Sequence, residues 1–383
     1  MRVALIENFG ADFVGARLRY ALFLKEQGVD VEAVIPKDGH KSIIESHGIK
    51  VFEVGENIRA KGIGTKLKYA SDLRKRIKKG NYDVVHFYRL QPNIIGTIVS
   101  GLSVKSKIVN HITGLGIAFS KNDFKSKLQK LIIKTLYKVN HFLFKPYYVF
   151  QNEEDASDLG ISSRMICIKG SAVNESKFNP ENVDNTKING LREEFSVNEN
   201  ENSKTFLFVS RIIKEKGVLE LIEGFKEANK EHNDIHKLLI VGWSDNENPS
   251  AISKEMLEKH IDNNLSIHYL GKRSDVEVLI TMSDVSILPT YYREGTPRFL
   301  LESMVMKNPI ITTRMPGCSH LVNQKNGILI NPKSSLQIKE AILSILEGDL
   351  KEMGEESSKL YFEKFSEKIV YSEIHNLYLK LLK

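Results

Sequence analysis

Residues 294–302 read EGTPRFLLE, two glutamates with seven residues between them, placed where a polar loop gives way to a helix. Upstream, the apolar run Val285 to Pro289 ends in the loop TYYREGTPR; downstream, Phe299, Leu300, Met304 and Val305 recur at helical spacing. A loop between the carboxyl end of a strand and the start of a helix is where open α/β sheets hold their ligands. The backbone N–H groups of Gly295, Thr296 and Arg298, backed by the helix dipole, suit a diphosphate or sugar hydroxyls. Glu294 can accept hydrogen bonds from sugar hydroxyls, and Glu302, about two turns further on, can accept two from a ribose diol. Pro297 suits the first helical turn, where a missing N–H costs nothing. Taken alone, such a pair is usually two solvated carboxylates at an exposed helix start, so its surroundings decide.

A second cluster follows the apolar run Phe206 to Ser210. Arg211 comes next, and Lys216-Gly217 opens a segment with Leu219, Leu221, Ile222 and Phe225 on one side. An arginine and a lysine around one strand-to-helix turn can both face a diphosphate, the first as a planar fork and the second as a point charge. Neither Cys167 nor Cys318 has metal-ligand spacing, and two cysteines make no disulfide framework, so both read as reduced thiols of a cytosolic protein.

Loops of this kind need parallel strands behind them. Short β-branched runs alternate with longer amphipathic segments throughout, the pattern of strand–helix–strand units. Strands are predicted near Val3 to Glu7, Val31 to Ile35, Val51 to Val54, Val84 to Phe87, Ile108 to His111, Tyr148 to Gln151 and Met165 to Ile168. A second series covers Phe206 to Ser210, Lys237 to Val241, Ser266 to Leu270, Val285 to Pro289, Pro309 to Thr312 and Gly327 to Ile330. Residues 179–204, rich in Asn and Glu and broken by Pro180 and Gly190, read as a linker between domains 1–178 and 205–365. Apolar and aromatic residues at Val370, Ile374, Leu377, Tyr378 and Leu381 mark a last helix, 366–383, expected to cross back to the first domain.

With 383 residues, 41% of them hydrophobic, the chain is an ordinary globular protein too long for a single core. The amino terminus lacks a signal-peptide pattern, and no apolar stretch is long enough to span a bilayer. The net charge of +7 is unevenly divided: residues 1–190 hold 30 Lys and Arg against 19 Asp and Glu, and residues 191–383 hold 25 against 29. An acidic partner should therefore meet the amino-terminal half.

The spaced glutamates, the strand ending in Pro289, the following Pro309 to Thr313 and the turn Pro316-Gly317 together resemble family 4 of the retaining glycosyltransferases. That resemblance implies the GT-B fold, two Rossmann-like α/β domains facing each other across a cleft. It assigns Arg211 and Lys216 to the phosphates of a nucleotide-sugar donor, where they neutralise charge on the departing diphosphate in place of a metal. No cofactor and no acidic metal cluster are expected. It also sets the turns at Gly242-Trp243 and Leu270-Gly271-Lys272-Arg273 beside the nucleobase. Arg273 either stacks on the base or is a solvated cation, and Trp243 reads as a packing residue. Glu294 acts in positioning and electrostatics, and the acceptor attacks on the face the diphosphate leaves.

The amino-terminal half should take the acceptor. His111-Ile112-Thr113-Gly114-Leu115-Gly116 places a histidine at a strand end beside a glycine-rich loop. Family members commonly carry one near the transferred sugar, so His111 is a catalytic candidate, with Thr113 and Gly114 on the acceptor side. The HITGLG form is similar to enzymes that assemble lipid-linked oligosaccharides, N-acetylgalactosaminyltransferases and O-antigen transferases among them. The resemblance therefore implies a UDP-sugar donor and a polyprenyl-diphosphate-linked saccharide acceptor. Arg89 either touches that acceptor's pyrophosphate or is structural. The first loop, Asn8 to Gly15, lacks the family's two adjacent glycines, since Gly10 and Gly15 stand apart, so the amide that would approach a phosphate is left open.

Residues 121–145 carry seven lysines and one acid, with Lys127, Lys130, Lys134 and Lys138 on one stripe and Leu128, Leu131, Ile132, Leu136, Val139, Phe142 and Leu143 on another. The run Lys61 to Lys79, with Lys66, Lys68, Arg74, Lys75, Arg76, Lys78 and Lys79, is also basic. A helix of the first type lies in an anionic membrane interface or packs on a core with its lysines solvated; two such runs favour peripheral association with the inner face of the cell membrane. Base-stacking aromatics are not interleaved with the charges, which argues against nucleic acid. Rival readings on the same fold are a sugar-nucleotide epimerase, a phosphorylase or a catalytically silent binding module.

Overall fold

A computed structural model of the chain describes residues 1–55, 62–102, 105–195, 197, 203–245 and 248–383. Lys61 and part of the expected linker, 196 and 198–202, lie outside them. Residues Met1–Ala172 together with Glu367–Lys383 form one compact unit, and Val173–Ser366 form a second.

The first unit is built on seven strands: β1 (Arg2–Ile6), β2 (Asp30–Ile35), β3 (Lys50–Glu53), β4 (Val84–Tyr88), β5 (Lys107–Ile112), β6 (Tyr147–Phe150) and β7 (Met165–Cys167). Their order is β3-β2-β1-β4-β5-β6-β7, and every pair is parallel. Runs such as Val3–Ile6 and Val84–Tyr88 are apolar without alternation because helices cover both faces. The winding reverses between β1 and β4, which pair in register from Val3↔Val84 to Ile6↔Phe87. Helix Glu367–Leu382 belongs to this unit: its Val370, Ile374, Leu377 and Leu381 are buried with Leu5, Val84 and Val109. Arg19 pairs with Glu367 at the helix start, and Tyr378 bonds the His86 ring.

The second unit carries β8 (Thr205–Val209), β9 (Lys237–Val241), β10 (Ile267–Tyr269), β11 (Val285–Leu288), β12 (Ile310–Thr313) and β13 (Gly327–Ile330), ordered β10-β9-β8-β11-β12-β13. Here the winding reverses between β8 and β11, the switch point outside whose carboxyl ends an open α/β sheet has its ligand crevice.

The stretch expected as a linker is largely structured. Asp184 caps helix Asn185–Glu194 by accepting from the Thr186 amide at 2.9 Å, and Ile188, Leu191 and Phe195 are buried against the second unit's core. Three apolar residues at helical spacing suffice to dock a helix; the polar residues between them made the segment read as a connection.

Candidate active site

The turns around the β8–β11 crevice are stitched backbone to backbone. Ser210 N donates to Val241 O at 3.0 Å, Ile212 N to Trp243 O at 2.9 Å and Gly242 N to Gly271 O at 2.8 Å. This closeness requires glycine. Gly242 has φ 153°, and a Cβ there would stand 1.7 Å from the Ser210 carbonyl oxygen. Across the crevice, a Cβ on Gly317 of the Pro316-Gly317 turn would stand 1.8 Å from the Gly295 oxygen.

Arg211 leaves the end of β8 and is held by Asp245, Nη1 to Oδ2 at 3.2 Å. Lys216 ends a single 3₁₀ turn, Lys214–Lys216, and Gly217 follows in the left-handed region with φ 76°. That turn is fastened to the loop after β11: the Glu215 carbonyl accepts from Tyr291 N at 2.8 Å and from Thr290 Oγ1 at 3.1 Å. Lys216 is therefore 8% exposed, and its Nζ bonds Glu294 Oε1. Burial lowers the pKa of this ammonium, and the Arg211 charge pushes it the same way. The Glu294 carboxylate in contact favours the charged form.

Both cations also meet one aromatic ring. The Arg211 guanidinium lies 5.7 Å and the Lys216 ammonium 5.4 Å from the centroid of Tyr292. Neither Asp245 nor Tyr292 was singled out from the sequence, although Tyr292 stands inside the TYYREGTPR loop; Asp245 offered no signal.

Gly295, Thr296 and Pro297 are buried, and helix Arg298–Val305 starts just after Pro297, which is its N-cap rather than a residue of its first turn. The first intrahelical bond reaches Leu301 N from Pro297 O, so the opening amides from Arg298 onward have no intrahelical acceptor. Glu302 lies 3.5 Å from Arg298 Nη2; burial raises its carboxyl pKa and the arginine opposes that. Arg273 is gripped bidentately by Asp275 at 2.9 and 2.6 Å, so it is not the solvated cation one reading allowed. Trp243 is no packing residue: it is 46% exposed, with Lys272 Nζ 5.4 Å from its ring centroid.

In the first unit the candidates are more deeply set. His111 is the penultimate residue of β5, one short of the end expected for it, and is 3% exposed, its ring stacked on His86 at 5.5 Å and tilted on Tyr88 at 5.1 Å. Burial lowers its pKa, with Arg17 adding to the effect. It lines a small cavity with Arg17, Tyr20, Tyr88, Ser171 and Tyr371. Thr113 and Gly114, half-buried, follow in the loop. Arg89 adopts φ 72° and is paired twice, to Glu7 at 3.2 Å and Asp12 at 2.7 Å. Glu7, fully buried, also meets Arg17 at 3.4 Å. In the first loop, Gly10 N donates to Asp38 Oδ2 at 2.6 Å.

Burial raises both thiols, Cys167 and Cys318, to about 11, which leaves them protonated and poor nucleophiles. Among the described residues no group of three or more His, Cys, Asp or Glu gathers as a metal would need. No helix among them is long and apolar enough to cross a membrane.

Residues 191–360 match the family described as Glycosyl transferases group 1, and residues 2–145 match Glycosyl transferase 4-like. The chain belongs to the glycosyltransferases, and its two parallel-sheet α/β units have the GT-B fold. It is 29% identical over 355 residues, 91% of this chain and 90% of the relative, to the N,N'-diacetylbacillosaminyl-diphospho-undecaprenol alpha-1,3-N-acetylgalactosaminyltransferase of Campylobacter jejuni. To the UDP-Gal:alpha-D-GlcNAc-diphosphoundecaprenol alpha-1,3-galactosyltransferase of Escherichia coli it is 26% identical, covering 80% and 77% of the two chains. Among solved structures, Anabaena Alr3699/HepE in complex with UDP and glucose superposes with a TM-score of 0.78 at 16% identity, over 98% of this chain and 99% of the other.

Proposed function

We propose that the chain moves an N-acetylhexosamine, such as N-acetylgalactosamine, from a UDP-sugar to a saccharide borne on a polyprenyl diphosphate, with retention and without a metal. The observation that carries this reading is the convergence of Arg211, Lys216 and Glu294 at the crevice where the second sheet reverses, beside the opening amides of helix Arg298–Val305. The names of the two relatives support the donor and acceptor classes.

In this reading the donor diphosphate lies against Arg211, Lys216 and the amides at Gly295, Thr296 and Arg298, with Pro297 shaping the turn. The ribose reaches Glu302, and the base lies along Gly242, Gly271 and Arg273. The acceptor hydroxyl oxygen bonds the anomeric carbon on the face from which the phosphate oxygen leaves, and its proton passes to that oxygen. Glu294 orients the sugar and keeps Lys216 charged. On the acceptor side Thr113 and Gly114 form the contact loop, and His111 supports it from beneath. Arg89 would reach an acceptor phosphate by giving up Asp12.

The acceptor's lipid calls for a membrane surface, and helix Phe124–Phe144 offers a seat for one. Its inward face is Ser126, Tyr137 and Asn140, whereas Leu128, Leu131, Ile132, Val139 and Leu143 point outward with Phe124, 85% exposed, and Phe142, 79% exposed. Exposed Lys127 and Lys138 flank that apolar face, the composition of an interfacial helix on anionic lipid. The basic run before it contributes less, since Arg76 is spent on Glu32. The site would then work at the inner face of the cell membrane.

Calorimetric titration with UDP and GDP, followed by transfer assays on a polyprenyl-diphosphate saccharide with and without EDTA, tests the reading. UDP should bind at least about tenfold more tightly than GDP, EDTA should leave the rate unchanged, and the product should keep the donor's anomeric configuration. A protein that binds neither nucleotide would refute it.

A further inference from the structure

The ring of Tyr292 stands where two like charges come together. Arg211 leaves β8 and Lys216 leaves the turn after it, and each faces a separate carboxylate, Asp245 and Glu294 respectively. Tyr292 is common to both, its centroid 5.7 Å from one cation and 5.4 Å from the other, within cation–π range. It is fixed from its own backbone, where Tyr292 N donates to Thr290 Oγ1 at 3.1 Å and Thr290 in turn donates to the Glu215 carbonyl at 3.1 Å. The adjacent Tyr291 turns elsewhere, with Lys333 4.9 Å from its ring, so the two tyrosines of the loop are not interchangeable.

We infer that Tyr292 is a positioning residue for the donor diphosphate: its π face holds the Arg211 and Lys216 cations side by side so that both face one pyrophosphate. This rests on the donor-site reading above. A carboxylate that neutralises a cation competes with phosphate for it, whereas a ring face lowers the mutual repulsion of the two cations and leaves their hydrogen-bond donors available. The ring is therefore suited to remain in place as phosphate oxygens take over from Glu294 and Asp245.

The test is UDP binding by calorimetry with full-length variants, beside donor KM and kcat. Tyr292→Phe keeps the face and should bind within about twofold of wild type. Tyr292→Leu should weaken UDP about tenfold and raise donor KM more than it lowers kcat. Lys216 is faced by Arg211, Glu294 and Cys318, and without the ring it should lose its proton sooner, moving the alkaline fall in UDP affinity to lower pH. Should Tyr292→Leu not fold, phenylalanines bearing one, two and three fluorines at position 292 keep the shape and drain the π face stepwise, and log Kd should worsen with each fluorine. A flat fluorine series, or a Tyr292→Leu variant binding like wild type, overturns the inference. Wild-type protein that binds neither UDP nor GDP overturns the donor-site reading instead, so the two failures are distinct.

Discussion

At the reversal of the first sheet, two arginines and two carboxylates close on one another: Arg17 and Arg89 on Glu7, and Arg89 again on Asp12. The nearby Gly10 amide is taken by Asp38. At the reversal of the second sheet there are again two cations and two carboxylates, Arg211 with Asp245 and Lys216 with Glu294. There the cations share a neutral ring, and a helix of eight residues opens beside them. The first arrangement is braced by a fully buried Glu7 and ties its strand ends together. The second is laid on turns packed closely through Gly242 and Gly217. Similar charge inventories thus form a clamp in one unit and, in the proposed reading, a grip for an anion in the other.

The largest effect should come from the second reversal. Lys216→Ala and Glu294→Ala should each reduce transfer by roughly a thousandfold, the scale of a lost electrostatic stabiliser in a transition state, with circular dichroism unchanged. Arg89→Ala should cost far less in donor kcat/KM and show itself as a lower Tm, because it releases the buried Glu7 charge. If Arg89→Ala were as damaging to donor turnover as Lys216→Ala, the contrast between the two reversals would collapse.

A smaller effect separates the glycines. Gly242→Ala drives a methyl onto the Ser210 carbonyl and should cost about 1–3 kcal/mol, the range for overpacking, with weakened UDP binding because Arg211 moves. Gly39 has φ 87° and open space around its missing side chain, so Gly39→Ala should lose only the left-handed penalty of about 1–2 kcal/mol and leave UDP binding intact. Thermal unfolding and calorimetry on both variants check this.

All thirteen strands are foreshadowed by short apolar runs, most plainly the central ones such as β1 and β4, whose burial on both faces shows in their composition. The loops that meet at the second reversal were legible for the same reason: EGTPRFLLE and Ser210-Arg211 sit at the ends of such runs. What the sequence could not convey was partnership across distance. Asp245 reaches Arg211 from the loop after β9, and Tyr292 joins Arg211 to Lys216 only after β8 and β11 become neighbours. The burial of His111 was not legible because one residue decides whether a side chain ends a strand or lies inside it, and β5 runs through Ile112. Trp243 misled because large aromatics are usually buried, while a turn bound through its backbone leaves the ring outside.

The helix Phe124–Phe144 differs from its counterparts in the second unit in where its apolar residues point. Helix Val218–Glu231 buries Leu221, Ile222 and Phe225, whereas Phe124–Phe144 turns Leu131 and Phe142 to solvent and is fastened inward by other residues, Tyr137 and Ile133 in an apolar cluster and Asn140 Nδ2 donating to Ile94 O at 3.1 Å. A single ordered position therefore does not depend on the apolar stripe. Replacing Leu131 and Phe142 together with Asp should leave Tm nearly unchanged and lower partition onto anionic liposomes by roughly a hundredfold or more, since burying two large apolar side chains is worth about 3–6 kcal/mol together. Transfer to a water-soluble acceptor analogue should stay within about twofold. Undiminished liposome binding would mean that the stripe faces something other than lipid, and a large fall in Tm would mean that it contributes to the unit's core.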